Sequence, residues 1–446
     1  MAASLFDSAL YADLFPTGDV ARLFSDSAEI RAMLLVEGAL AKAQGARGDI
    51  PADSAAAIGR AVMEVALDPG ALRRETGQNG VVVPALLNAL REEMNAPEHA
   101  QYVHWGATSQ DIIDTALMLR LRQALGAIEG DVASTLTRLQ HLAEDHADLP
   151  MAGRTYGQIA TPTSFGAVVA AWGYPLLALL QELPDLRRDN LWVSLSGAAG
   201  TASALGRDAA GLRADLAAGL ALGDPGRNWH GDRTPILRIA DWLTRLTTAY
   251  AKLGEDVIAL RQSGIAELDL AAPGASSTMP QKQNPIAASV LVALAPQAAA
   301  QMTALHASAS PQHQRDGAHW FGEWLALPQL VACAASAART GQALVAQITP
   351  NPEQMSAALG QNGGGVFAEA LSFALCQSMR RPEAQAAVKN LCKTAQATGE
   401  SLHSLASQTY PDLPLADVFA AEAQLGQAPQ EARAFATACA DHLNPD

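Results

Sequence analysis

Along most of the chain apolar residues return every three or four positions, the period of a helix with one buried face. The long segments that carry this pattern fall at 26–46, 110–147, 161–189, 234–263, 285–309 and 322–347. They are rich in Ala, Leu, Gln, Glu and Arg, which lose little freedom in a helix. Period-two alternation is rare, and β-branched residues are outnumbered by Ala and Leu, so strand signals are nearly absent. An all-α protein is predicted. Several segments exceed the ~11–12 residues of an average globular helix, which points to a bundle of long helices. Pro350 and Pro352 break the pattern, and beyond them shorter helices are separated by GQNGGG, RRP and YPDLP. The expected parts are an N-terminal helical domain over 1–103, a central long-helix bundle over 104–348 and a C-terminal helical domain over 349–446.

At 446 residues, nearly half of them apolar, the chain can bury a large interior. Its 30 Lys and Arg against 45 Asp and Glu leave a formal charge of −15, which argues against nucleic acid or an anionic membrane as partner. A local cluster of Arg and Lys can still receive a small anion. Cys333, Cys376, Cys392 and Cys439 form no CxxC and no metal-ligand spacing, and read as reduced core thiols of a cytoplasmic protein. Asp7 and Asp13 interrupt the stretch where a signal peptide would be apolar. Two charge-free runs, 155–181 and 283–314, are long enough to span a bilayer, but they are Ala-rich and broken by Pro, Gly, Gln, Ser or His. They are expected to be helices surrounded by other helices.

Polar stretches within this pattern are the candidates for chemistry. VHWGATSQDIIDT, 103–115, sets Gly106, Thr108, Ser109 and Asp111 before an amphipathic run, a helix N-terminus with exposed N–H groups and hydroxyls. It serves either as a plain cap, with Thr108 or Ser109 capping, or as a cradle for a carboxylate. GRTYGQIATPT, 153–163, leads into an apolar helix; Arg154 reads as a helix-end ion pair or an anion contact. SGAAGTASALG, 196–206, does not match GxGxxG and follows no strand, so it implies close backbone approach rather than a nucleotide. NWHGDRTP, 228–235, places His230 and Arg233 before a long helix, and HQRDGAHWFGEWLALP, 313–328, puts Trp320, Glu323 and Trp324 on another. His306, His313 and His319 are too widely spaced to bind one metal ion from a helix face, and no HExxH occurs, so no metal is expected.

A last stretch, GASSTMPQKQNP at 274–285, sets two serines, a lysine and an asparagine between the helix breakers Gly274, Pro280 and Pro285. It closely resembles the signature loop G-S-S-x-M-P-x-K-x-N-P of the fumarase/aspartase superfamily, with Ala275 where glycine is usual. VHWGATSQD, GRTYGQIATP and GAAGT resemble other blocks of that superfamily in the same order, so the likeness spans essentially the whole chain. Within it, HWGATSQDIIDTA, NWHGDR and the W-x-x-E-W-x-x-L-P of Trp320 to Pro328 resemble the bacterial 3-carboxy-cis,cis-muconate cycloisomerase family. Adenylosuccinate lyases share the HxGxTSxDxxDT block but usually carry a Ser- and His-rich sequence in place of WFGEWLALP. A C–N lyase of that type is the alternative.

The resemblance implies a fumarase/aspartase-like all-α fold and a homotetramer, with each active site drawing the 104–115, 153–163 or 228–233, and 274–285 regions from different subunits. It implies a small polycarboxylate substrate, no cofactor and no metal. Ser276 falls on the catalytic serine as the proton-transfer group, and Lys282 and Asn284 suit the charge of an enediolate. A serine hydroxyl is a weak base, so it must ionise beside Lys282 and loop N–H donors, shielded from water by a loop closing over substrate. Arg154, Arg233 and Arg315 are candidates to neutralise a tricarboxylate, with Thr108 and Ser109 taking one carboxyl. His104, Tyr156, Gln158, His230, Ser277, Met279 and Trp320 complete the implied substrate contacts.

Tyr156 is a departure, since GRTH with histidine is the common superfamily form. That histidine is the expected general acid where an amine or hydroxide leaves, because such groups depart badly unless protonated. A carboxylate, whose conjugate acid has a pKa of about 4, leaves without help. Losing the acid therefore costs little when the group exchanged is the substrate's own carboxylate, as in forming or opening a lactone.

Overall fold

The computed structural model describes residues 4–275, 278–279 and 281–444. Helix α1, Asp26–Arg47, opens where the Ser25 hydroxyl accepts from the Ala28 N–H and closes at Gly48, whose φ of 77° ends the helix in the left-handed region. Then come α2, Ala52–Glu64, α3, Pro69–Asn79, α4, Val83–Met94, and the single turn α5, Pro97–Ala100. The long helices follow: α6, Ser109–Asp145, α7, Phe165–Asn190, and, after the shorter α8, Ala209–Leu220, α9, Thr234–Arg261. Next are α10, Ile286–Ser308, and α11, Gly317–Val345. Shorter helices run from Pro352–Leu359 to Ala428–Leu443.

The chain divides into two compact units. One comprises Met1–Asp131, Leu179–Thr248 and Ala293–Thr340. Its core joins Met33, Leu34 and Leu40 of α1 to Leu86 and Leu90 of α4 and to Ile112 and Leu119 of α6. The other comprises Val132–Ala178, Ala249–Val292 and Gly341–Asp446. There the buried Trp172 indole donates to Asp256 at 2.8 Å and the Tyr250 hydroxyl to Thr135 at 3.0 Å, so the polar tips of these two rings are satisfied. A separate cluster around Leu371, Leu375, Leu402 and Ala406 holds the C-terminal helices.

The strands are short and antiparallel. β1, Pro150–Thr155, pairs with β2, Gln158–Ser164; β3, Leu268–Leu270, pairs with β6, Ile348–Pro350; β4, Gly274–Ala275, pairs with β5, Gln283–Asn284. The first pair corrects the sequence expectation that 153–163 simply leads into a helix from 161: a hairpin occupies it, and α7 begins at Phe165. Its two-residue turn is Tyr156-Gly157, with φ of 52° and 72°. Positive φ at both central positions matches the strand twist but is rarely supplied by tyrosine, which is why no turn was legible there.

The charge-free runs also need correction. α7 and α10 are long and apolar enough to cross a membrane by length and composition, and 56% of the most apolar α7 window is buried against only 28% for α10. Within one chain α10 is therefore not surrounded by other helices. All four cysteines are free, with Cys333 and Cys439 buried and Cys376 and Cys392 half-buried rather than core. Burial pushes the Cys333 and Cys439 thiols up to about 12 and raises Cys392 as well. A disulfide-exchange chromophore is thus expected to titrate no more than the two half-buried thiols of the native protein quickly, and all four in denaturant; rapid native reaction of Cys333 or Cys439 contradicts this packing.

Candidate active site

The candidate site residues fall into two groups, one in each unit. The first gathers at the N-terminus of α6, where Asp111 is fully buried. Its Oδ1 accepts from the Ser196 N–H at 2.8 Å and the Ser194 hydroxyl at 3.2 Å, and its Oδ2 from the Thr108 and Gly197 N–H groups at 3.0 and 2.9 Å. His230 Nε2 lies 2.8 Å from Oδ1. An ionised carboxylate only accepts, so Nε2 carries a proton. The backbone reaches this arrangement through Gly106, at φ 79°, where an added Cβ would sit 2.4 Å from the Ala204 carbonyl oxygen. The close backbone approach expected at 196–206 thus serves to wrap N–H donors round one carboxylate.

One helical turn further on, Asp114 is also fully buried and accepts from Arg233 Nη1 and Nη2 at 2.8 and 3.1 Å. Glu323, on α11, accepts from Arg233 Nε and Nη2 at 2.9 and 2.7 Å. Every nitrogen of Arg233 is thereby committed to a carboxylate, and its guanidinium lies 4.9 Å from the Trp229 ring centroid. Burial works against the charge, but Asp114 and Glu323 outweigh it and hold Arg233 above its ordinary value. Glu323 is raised, chiefly by burial and also by Asp114, against the pull of Arg233. Both shifts follow from one cation serving two buried anions.

Arg315 presents a different picture. Its Nη1 donates to the Thr108 hydroxyl at 2.8 Å, a neutral partner, so its charge is not cancelled there by a carboxylate. Ser109 opens α6. Trp320 is buried, its ring 4.8 Å from that of Trp324. His104 Nδ1 lies 2.7 Å from Glu37 of α1. A carboxylate ligand at this helix end would find a guanidinium and a hydroxyl together, while Asp111 already faces the positive end of the α6 dipole.

The second group lies on β1–β2 and the 274–285 loop. Arg154 is held in a two-point ion pair with the fully buried Glu267, both contacts at 2.7 Å. Tyr156 stands fully exposed at the hairpin tip, and Gln158 follows it on the exposed start of β2. Gly274 pairs with Asn284 and Ala275 with Gln283, so a small strand pair closes the base of the loop. An added Cβ at Gly274 would come within 2.5 Å of Ile286 Cγ1, which explains glycine at this crossing. Arg261 ties the same base by donating to the Gln283 side chain. Lys282 is exposed, with its N–H donating to the Met279 carbonyl at 3.0 Å, and Met279 is itself exposed. The predicted Ser276 and Ser277 lie outside the described residues.

Nothing in the sequence singles out Asp114, Glu267 or Glu37 as partners, and Asp111 stands out there only as an acid at a helix N-terminus. The i, i+3 spacing of Asp111 and Asp114 on an otherwise apolar turn was the available signal, since two carboxylates on one buried face require cations or N–H donors opposite.

The model of the lyase family matches residues 16–299. The chain is 36% identical over 399 residues to the 3-carboxy-cis,cis-muconate cycloisomerase of Pseudomonas aeruginosa, covering 88% of this chain and 86% of that protein. It is 34% identical over 410 residues to that of Pseudomonas putida, covering 91% and 96%. The crystal structure of the Pseudomonas putida 3-carboxy-cis,cis-muconate lactonizing enzyme superposes with a TM-score of 0.91 at 31% identity, covering 97% of this chain and 99% of that one. An all-α fold with these blocks in this order, matched along its length by such relatives, belongs to the lyase family of the fumarase/aspartase superfamily.

Proposed function

We propose that the chain is a cycloisomerase interconverting 3-carboxy-cis,cis-muconate and its γ-lactone, 4-carboxymuconolactone, in protocatechuate catabolism. Towards the lactone, an oxygen of one substrate carboxylate adds to the β-carbon of a double bond conjugated to another carboxyl. The displaced electron pair moves onto that second carboxyl as an enediolate, and a proton is delivered to the α-carbon. In reverse, the α-proton is removed and the ring oxygen leaves as a carboxylate. Ser276 carries the proton in both directions, while Lys282 and Asn284 stabilise the enediolate, whose excess charge peaks near the transition state. Arg315, Thr108 and Ser109 receive a further carboxylate at the α6 end. Arg154 and Arg233, spent on Glu267, Asp114 and Glu323, act mainly by fixing the segments around them.

The observation that carries this reading is the fully exposed tyrosine at the tip of β1–β2, where elimination of an amine would call for a strong general acid. The similarity to cycloisomerases along most of the chain supports it. The exposed apolar surface of α10 supports a homotetramer with active sites shared between subunits, in which that surface is covered. The enzyme is cytoplasmic in this reading, needs no cofactor or metal, and engages neither nucleic acid nor membrane. The three parts 1–103, 104–348 and 349–446 are then its functional divisions.

Ultraviolet absorbance provides the test. Mixing purified protein with 3-carboxy-cis,cis-muconate is expected to bleach the conjugated diene, while adenylosuccinate remains unchanged. An inert diene and turnover of adenylosuccinate would reverse the assignment.

A further inference from the structure

We infer that Glu37 is a positioning residue that holds His104 with Nδ1 protonated and turned inward, so that the ring takes its second proton on Nε2 and donates it to a substrate carboxylate. The inference deepens the cycloisomerase reading and rests on it for the identity of the substrate.

Glu37 sits in the middle of α1 among Met33, Leu34, Val36, Leu40 and Ala41, all buried core residues. Its own side chain is 0% exposed. A carboxylate in such surroundings is costly unless partnered. Glu37 Oε1 lies 2.7 Å from His104 Nδ1, whereas Oε2 has no hydrogen-bond partner among the described residues. The imidazole is thus the group that compensates this acid. Because a carboxylate only accepts, the proton between them belongs to Nδ1. His104 keeps 14% of its side chain open, four residues ahead of Thr108. With Nδ1 committed, any further proton on the ring goes to Nε2, and Glu37 already balances the charge it brings.

A purely structural role would make the pair a fastener for the loop, but the loop is fastened independently. Arg91 of α4 donates to the Val103 carbonyl at 3.1 Å, and Gln44, two turns after Glu37 on α1, donates to the Trp105 carbonyl at 2.7 Å. Residues on both sides of His104 are therefore gripped through their backbone. His104 itself takes a φ of 65°, a left-handed conformation uncommon outside glycine, between those two grips. The ring is left as the part of this loop whose direction Glu37 decides.

The test combines spectroscopy and kinetics on the full-length protein. Nitrogen-15 spectra of histidine-labelled wild type, with His104 assigned by its loss in His104→Gln, are expected to show a protonated Nδ1, and Glu37→Gln to redistribute the tautomers. Steady-state rates with 3-carboxy-cis,cis-muconate are expected to show Glu37→Gln raising KM about 10- to 100-fold, by analogy with the loss when a carboxylate that orients a metal-bound histidine is removed, with a smaller change in kcat. In the His104→Gln background, Glu37→Gln should cause no further loss. The inference is overturned if Nδ1 of wild type is unprotonated, if Glu37→Gln leaves KM within twofold, or if its full loss persists without His104. Should wild type fail to consume the diene, the functional reading falls, and the nitrogen spectra still decide the Glu37–His104 pair.

Discussion

Ser276→Ala is expected to lower kcat by about 10²–10⁴-fold, the usual range for a proton-transfer group, without moving the melting curve. Tyr156→Phe is expected to retain most of the activity. The contrast follows from the leaving group. Carbon acids exchange protons slowly, so the group at the α-carbon is indispensable, whereas a departing carboxylate needs no proton. Tyr156 is an exposed ring at a hairpin tip, suited to lining a site by shape. Steady-state rates in both directions, alongside thermal melts, provide the check. Equal losses for the two variants would mean that the phenol acts as an acid after all, and the leaving-group argument would fail.

Arg233→Met carries the largest expected cost in stability. It leaves Asp114 and Glu323 buried without their shared cation, and removing one partner of a buried ion pair typically costs about 3–5 kcal/mol. Adding Glu323→Gln to that variant should recover part of the loss, since one stranded charge disappears. Glu323→Gln alone should show a pH-dependent difference from wild type. The folded state raises Glu323 above its ordinary value near 4.5, so the protonated form is the one folding favours. That contribution is fully present below 4.5 and is lost as the pH rises through the folded value. The melting temperature of Glu323→Gln relative to wild type should therefore rise as pH increases above about 4.5, and a difference that runs the other way would contradict the assigned direction.

Much of the helical framework was legible because its signals are local. The segment expected at 26–46 is Asp26–Arg47, that at 234–263 is Thr234–Arg261, and that at 285–309 is Ile286–Ser308. Apolar spacing, serine caps, glycine stops and Pro285 mark these ends within a few residues. α11 begins five residues before the predicted 322, at Gly317, where Asp316 supplies an acceptor to the Ala318 N–H. The hairpin at 150–164 was not legible, since its strands carry no alternation and its turn uses tyrosine. At the site the chemistry-bearing residues stood out by type, but their partners did not. Arg154 finds Glu267 across 113 positions, Arg233 finds Asp114 across 119, and Asp111 collects donors from 83 to 119 positions away. Such pairings exist only once the chain has folded, and nothing local announces them.

The Asp111 knot also bears on how the native state holds together. One acid in a dry interior is satisfied by the α6 terminus, by residues 194–197 and by His230, stretches far apart in the chain. Removing the donors of any one stretch leaves the anion short of partners in a place water does not reach. A single carboxyl group thereby ties three remote pieces of chain to one another, so that loosening one weakens the hold on the other two.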